Sequence, residues 1–312
     1  MRRRTADSLA ILRDPIAVEQ AEFRAPLERC IVDLRAGPVR SALFVLYSDL
    51  VQAISSEDEL AFLSAIRAIS DLNAEASDGI RALAFTEDDL GCGMPDRYVR
   101  YVDDDPTSPV QIAPLPAADL VDAKQRLAET CALLDAAAPE LGGEIRALIR
   151  EVVFVAGVPE AGGLSFNGAS NFYFWGAMFL NADAHRDRVT MAQGMAHEAA
   201  HSLLLGYTFG APLVENDESE RFASPLREDL RPMDGIVHAT YVLARMHYCI
   251  EQLLASSILS AEEKDLLEEA ELRRRAEYAK GLDVIRSHAR FTSLGRALFD
   301  GAQRYMAERL AA

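Results

Sequence analysis

Residues 177–206 read AMFLNADAHRDRVTMAQGMAHEAAHSLLLG, and this stretch indicates a strand followed by a helix. The apolar segment AMFLNAD predicts a short buried strand. Thr190 and Gln193 have the spacing of a capping box, which predicts a helix that begins near Met191 and ends before Gly206. A strand followed by a helix that contains HEAAH is the setting in which HExxH metal sites occur.

The HEAAH segment places His197 and His201 four residues apart. Residues at this spacing lie on one face of a helix, so both imidazoles can reach one metal ion, with Glu198 beside them. The alternative interpretation is a pair of packed core histidines without a metal. The short, uncharged residues Ala199 and Ala200 between the histidines favour the metal site.

A third protein ligand is expected, because catalytic metal ions usually have three. Position and spacing exclude the metzincin pattern HExxHxxGxxH, since no histidine follows at the required place. Glutamates of the kind used by gluzincins occur in the polar stretch 211–231: Glu215, Glu218, Glu220 and Glu228. His238, on an apolar helix predicted at about 233–255, is the favoured candidate. The remaining histidines are predicted to be packing or surface residues: His185, His247 and His288.

HEAAH at 197–201, followed by SPLREDLRPMDGIVHATYVLAR at 224–245, resembles an HExxH-motif family that modifies ribosomally made peptides. Members are similar in having HExxH, a Ser-Pro-x-Arg-x-Asp-x-Arg-Pro-like loop and a helix with Gly-x-x-His-x-x-Tyr. The resemblance implies a non-haem iron(II), 2-oxoglutarate-dependent oxygenase that β-hydroxylates a side chain of a precursor peptide.

The resemblance also implies roles for individual residues. The iron ligands would be His197, His201 and His238. The distal carboxylate of 2-oxoglutarate needs a cation, and a guanidinium matches a carboxylate with two parallel hydrogen bonds. Arg231 is the first candidate and Arg227 the second, with Arg245 further along the helix. Ser224 and Tyr241 are expected to add hydroxyl hydrogen bonds to the co-substrate.

Two other functions stay open at this point. Glu198 would be the general base of a zinc metallohydrolase such as a peptidase, and imidazole ligands suit zinc and iron alike. In an oxygenase, Glu198 would instead orient water or a substrate group. A third possibility is a degenerate HExxH protein whose helices bind a partner.

Composition narrows the class of protein. The formal net charge is −17 and the pI about 4.8, so a nucleic-acid partner is not expected. The four cysteines contain no CxxC pair, which excludes a cysteine-based zinc motif and fits a reducing compartment. We expect neither a signal peptide nor a membrane span, and therefore a cytoplasmic protein.

The expected fold class is mainly α (α+β), with a helical region, a zincin-like strand–helix core and one small sheet. Helices are predicted at 17–34 and 39–54, and a third is predicted after Ser55-Ser56, running to about Glu75. The proline-rich stretch 103–117 is the expected connector between an N-terminal helical region, 1–102, and a metal-binding catalytic domain, 117–312, unless these form one continuous domain. Helices are expected at 117–137 and 140–150, and three or four strands at 151–157 and 163–183.

Overall fold

The computed structural model describes residues 1–72, 79–102, 111–157, 166–227 and 229–310. This part of the chain is mainly helical with one small mixed sheet, which confirms the predicted class. Its α-helices are α1 (Arg2–Glu19), α2 (Arg24–Ala36), α3 (Ala42–Ser55), α4 (Glu59–Asp71), α5 (Glu87–Leu90), α6 (Met94–Val102), α7 (Ala117–Ala137), α8 (Pro139–Leu148), α9 (Arg188–Thr208), α10 (Met233–Leu254), α11 (Ala261–His288) and α12 (Ser293–Leu310).

The sheet is centred on the strand predicted at 151–157, which contains three valines. Its strands, in the described residues, are β1 (Arg81–Ala84), β2 (Ile112–Pro114), β3 (Glu151–Gly157), β4 (Gly168–Ala169) and β5 (Ala177–Asn181). β3 pairs in parallel with β1 on one edge and with β5 on the other, in the order β1-β3-β5-β4. β2 continues the β1 edge antiparallel to β3, and β4 pairs antiparallel to β5.

The chain forms two compact units, each made of two segments. One contains Met1–Lys124 and Arg146–Ala184, and the other contains Gln125–Ile145 and His185–Ala312. The first therefore holds the whole sheet together with the N-terminal helices. The second holds the HExxH helix α9 and helices α10, α11 and α12. The division into domains at 1–102 and 117–312 stays a prediction.

In the first unit, a buried carboxylate joins the sheet to helix α3. Glu151, the first residue of β3, is 1% exposed and accepts a hydrogen bond from the backbone nitrogen of Ser41 at 2.9 Å. Arg40 and Arg81 lie 3.4 and 3.6 Å from its Oε1. The charge of Glu151 is therefore compensated on the inside of the fold, as a buried carboxylate requires.

The predicted N-terminal helices differ from the observed ones in their ends. The helix expected at 17–34 is interrupted at Gln20, where α1 ends and a 3-10 turn leads into α2. α4 begins later than expected because Asp58, and not Ser55-Ser56, is its N-cap: the Asp58 carboxylate accepts from the Ala61 nitrogen at 3.0 Å. The predicted end at Glu75 and most of the connector, 103–110, lie outside the described residues.

The start of α9 corrects the capping box expected at Thr190 and Gln193. The N-cap is Asp187, whose carboxylate accepts from the nitrogens of Val189 at 3.0 Å and Thr190 at 2.8 Å. Thr190 is the third helical residue. Its hydroxyl oxygen accepts a hydrogen bond from the Asp187 nitrogen, which completes the capping box. A carboxylate at the N-cap also interacts favourably with the helix dipole, so the helix begins one turn earlier.

The far end of α9 is also later than predicted. Gly206 is still helical, and the helix ends at Thr208, followed by Phe209 in the left-handed conformation with φ 48°. By contrast, α10 matches its predicted range to within one residue, and a capping box of Ser260 and Glu263 opens α11.

The second unit has its own apolar core. Side chains from α9, α10, α11 and α12 form one buried cluster, which includes Leu204, Val242, Tyr278 and Phe299. This packing fixes the faces that α9 and α10 turn toward each other. None of the described helices has both the length and the apolar character needed to cross a membrane.

Candidate metal centre

Helix α9 presents His197 and His201 on one face, one turn apart. Their Nε2 atoms are 3.2 Å from each other, and the ring centroids are 4.9 Å apart. Two imidazole nitrogens bound at about 2.0–2.1 Å to one ion stand about 3.0–3.4 Å apart, depending on the coordination angle. The pair therefore fits two ligands of a single metal ion.

Both imidazoles are neutral near pH 7, because their surroundings disfavour the charged form. Burial lowers the pKa of His197 to about 4, with smaller contributions from Arg274 and His185. Burial also lowers the pKa of His201 well below its ordinary value, and His197 and His238 add to the effect. Neutral imidazole is the form that binds metals, so the pair gives up no proton when an ion binds.

Met246 of α10 determines which nitrogen of His197 carries the proton. Its sulfur lies 3.3 Å from Nδ1 of His197. A thioether sulfur can accept a hydrogen bond but cannot donate one, so Nδ1 is protonated and Nε2 keeps its lone pair. Met246 thus holds the tautomer that a metal at Nε2 requires, a task usually performed by a carboxylate or a carbonyl.

Replacing Met246 with leucine is expected to weaken metal binding roughly tenfold, the lower end of the range for a partner of a ligating histidine. Leucine keeps the apolar volume and removes the acceptor. The affinity for zinc, measured by competition with a chelator, gives the result. Met233→Leu is the matched control, because Met233 is also buried on α10 and should leave the affinity unchanged. Equal affinities in the two variants would show that the sulfur does not act on His197.

His238 lies beside the histidine pair. Its ring centroid is 6.3 Å from that of His201, and the two rings are inclined by 30°. Its Nε2 is 3.5 Å from Oδ2 of Asp234, one turn earlier on α10. Burial lowers the pKa of His238, while Asp234 acts in the opposite direction. The structure thus brings the predicted third histidine next to the pair and gives it an acidic neighbour, Asp234, which the sequence did not indicate.

Glu198 is buried beside the same two histidines. Only 5% of the residue is exposed, and its Oε1 lies 4.0 Å from Nε2 of His197. The carboxylate is therefore on the side of His197 that carries the lone pair. This position suits either a base acting on bound water or a group that orients a ligand.

The residues proposed for the co-substrate have different surroundings. Arg231 is ion-paired with Asp229, whose Oδ2 is 2.6 Å from its Nε, and Arg227 is exposed. Ser224 accepts hydrogen bonds from the backbone nitrogens of Leu226 and Arg227, which forms a local turn.

Two further candidates from the resemblance lie on α10. Tyr241 is buried with 8% exposure in the core of the second unit. Arg245 is ion-paired with Glu144 and stacks on Tyr248, so its guanidinium already has partners.

None of the described glutamates that were considered as third ligands forms a metal-holding group with this pair. Glu215 and Glu218 are exposed, and Glu220 forms an ion pair with Arg290 at 2.7 Å. Glu228 lies outside the described residues. The predictions for His247 and His288 agree with their positions: His247 is fully buried and contacts Tyr305, and His288 is exposed.

His185 was not expected at the site. It is 7% exposed, and its ring lies directly on Gly194 of α9, where any β-carbon would overlap Nε2. Gly194 is three residues before His197 and shares its face of the helix. The only available signal was the glycine inside the helical pattern, which often marks a close approach.

Among the described residues, no group of three or more His, Cys, Asp or Glu side chains is arranged to hold a metal ion as it stands. The fit to a metal thus depends on the convergent Nε2 atoms of His197 and His201. A scan against protein-family models finds no match for the chain, and a search of curated proteins finds none either.

Proposed function

We propose that the protein is an iron(II)- and 2-oxoglutarate-dependent oxygenase that hydroxylates a side chain of a ribosomal peptide. The observation that supports it is the pair of half-buried, neutral imidazoles whose Nε2 atoms are 3.2 Å apart, with His238 next to them. The arginine-bearing loop before His238, which the peptide-modifying family shares, favours an oxygenase over a hydrolase.

In this proposal, the chain holds the metal and shapes its surroundings. His197 and His201 supply two neutral nitrogen ligands, and His238 supplies the third. When bound, iron(II) would supply the centre at which dioxygen oxidises both 2-oxoglutarate, to succinate and CO₂, and a substrate C–H bond, to C–OH. Glu198 would orient a polar group of the substrate near Nε2 of His197, and the partial exposure of the histidine side chains leaves them accessible to a ligand.

The proposal is tested by loading the protein with iron(II) without oxygen and measuring the binding of 2-oxoglutarate by calorimetry. Oxygen and ascorbate are then added, and the formation of succinate is followed. We expect binding and succinate above the level of a metal-free sample. A zinc-loaded sample is the control, because zinc has no redox chemistry and should release no succinate. Failure of the iron-loaded protein to bind 2-oxoglutarate would contradict the proposal.

The second candidate function is zinc-dependent hydrolysis of a peptide bond. The buried carboxylate of Glu198, 4.0 Å from Nε2 of His197, favours it, because a general base for water belongs at this position. Glu198→Gln separates the two functions. In a hydrolase, this change would abolish peptide cleavage while zinc stays bound. In the proposed oxygenase, it should leave the affinity for 2-oxoglutarate unchanged.

A further inference from the structure

Two helices of the second unit each present a pair of side chains of the metal-binding types, four residues apart. On α9 the pair is His197 and His201, and on α10 it is Asp234 and His238. Helical side chains lean toward the N-terminus, so residues at this spacing lie one above the other. His238 therefore leans over the turn that contains Asp234, and its Nε2 is 3.5 Å from Oδ2 of that residue.

The pair on α10 differs from the pair on α9 because one member is a carboxylate. An ionised carboxylate accepts hydrogen bonds and donates none, so it orients an imidazole by accepting from the ring nitrogen that faces it. In His238 that nitrogen is Nε2. The ring proton then belongs on Nε2, and the lone pair that a metal ion needs is on Nδ1. A nitrogen that donates to Asp234 cannot bind an ion at the same time.

The contact between Met246 and His197 follows the same principle with the two nitrogens exchanged. Met246 faces Nδ1 of His197 and leaves Nε2 for the ion, whereas Asp234 faces Nε2 of His238 and leaves Nδ1. Both orienting groups come from α10. His238 is beside His201, with 6.3 Å between the ring centroids, so the way its ring is held decides which nitrogen an ion at the pair meets.

We propose that Asp234 is the positioning residue of the third metal ligand: it holds Nε2–H of His238, and His238 binds the ion through Nδ1. The inference rests on the proposed function, because His238 is the third ligand of that metal centre. The carboxylate fixes the orientation of the ring and makes the imidazole a more basic ligand. His238 thereby differs from His197 and His201, which bind through Nε2.

The first test identifies the metal-bound nitrogen of each histidine. The protein is labelled with the heavy nitrogen isotope and loaded with zinc, and NMR spectra that correlate ring nitrogens with ring protons separate a metal-bound nitrogen from one that carries hydrogen. We expect His238 to show a bound Nδ1 and a protonated Nε2. His197 and His201 should show the reverse. His238→Gln assigns the signals of His238 by their absence.

The second test measures the affinity for zinc by competition with a chelator. Asp234→Asn is expected to weaken binding roughly tenfold, the lower end of the range for the partner of a ligating histidine, because the Asp234 side chain is half exposed. The amide oxygen keeps the shape of the side chain but accepts a weaker hydrogen bond than a carboxylate.

Glu262→Gln is the matched control for the second test. Glu262 is the second residue of α11, as Asp234 is of α10, and both helices belong to the same unit. The two variants therefore lose the same favourable interaction of an acidic side chain with a helix N-terminus. Glu262→Gln should bind zinc as the wild-type protein does, so a loss confined to Asp234→Asn reports the contact with His238.

The results that would overturn the inference differ in what else they affect. Zinc on Nε2 of His238 contradicts the role of Asp234 and leaves the proposed function intact, and so does an equal affinity for zinc in Asp234→Asn and Glu262→Gln. A zinc-loaded protein in which neither nitrogen of His238 is bound contradicts both this inference and the third ligand of the proposed function. The spectrum of the wild-type protein decides the matter even where a variant does not fold.

Discussion

Replacing His201 with alanine is expected to reduce the affinity for iron(II) or zinc more than about 100-fold, beyond the loss caused by removing a residue that only supports a ligand. The reason is that the Nε2 atoms of His201 and His197 converge at 3.2 Å, and one nitrogen alone cannot chelate. Alanine is the best helix former, so α9 itself should persist. Metal content after reconstitution and dialysis, measured by elemental analysis, gives the result.

His288→Ala is the matched control, because His288 is an exposed histidine of the same unit. It should keep the full metal content. Thermal unfolding of the metal-free proteins shows whether His201→Ala is folded. A folded His201→Ala protein that retains one metal ion per chain would show that the pair is a packed hydrogen-bonded couple, with His201 donating to His197.

Replacing Gly295 with alanine is expected to destabilise the protein by about 2–3 kcal/mol, in the range of overpacked cores. Gly295 lies in the first turn of α12, against the backbone of Leu213. A β-carbon there would overlap the carbonyl oxygen of Leu213 and lie 2.7 Å from its carbonyl carbon. That carbonyl also accepts a hydrogen bond from the Thr292 nitrogen at 3.0 Å, so the two segments cannot separate without losing it.

Gly301→Ala is the control for this effect, because it is on the same helix and a β-carbon there meets nothing within 4 Å. Alanine at that position should stabilise the protein by about 0.5–1 kcal/mol, since glycine has the lower helix propensity. Urea unfolding of both variants measures the difference. Destabilisation of similar size in both would mean that the contact with Leu213 is not responsible.

Elements with a strong local signal could be predicted from the sequence. The run EVVFVAG forms β3 at its predicted residues, and α10 forms within one residue of its predicted range. β1 was not predicted because RALA has little preference for strands. It becomes a strand because its backbone pairs with β3 over four residues. For α9, the box predicted at Thr190 and Gln193 was wrong, because Asp187 is the N-cap.

In the site, too, residues placed by local sequence could be predicted, and residues placed by tertiary packing could not. His197 and His201 could be placed together because a helix alone sets their spacing. His185 could not, because tertiary packing lays its ring on Gly194, three residues before His197, and no local pattern sets that contact. Arg231 and Arg227 were chosen by the resemblance, which contains no information about the ion pair that Asp229 forms with Arg231.

The contact between His185 and Gly194 has a consequence for motion in α9. Glycine in a helix interior costs about 0.5–1 kcal/mol relative to alanine, so the turn that precedes His197 depends on tertiary contacts for its order. The imidazole of His185 provides one of these contacts by covering the glycine. Amide hydrogens in this turn should therefore exchange with solvent faster than those in the rest of α9. Their exchange should become slower when an ion fixes the neighbouring histidines. The exchange rate of this turn would then report whether a metal is bound.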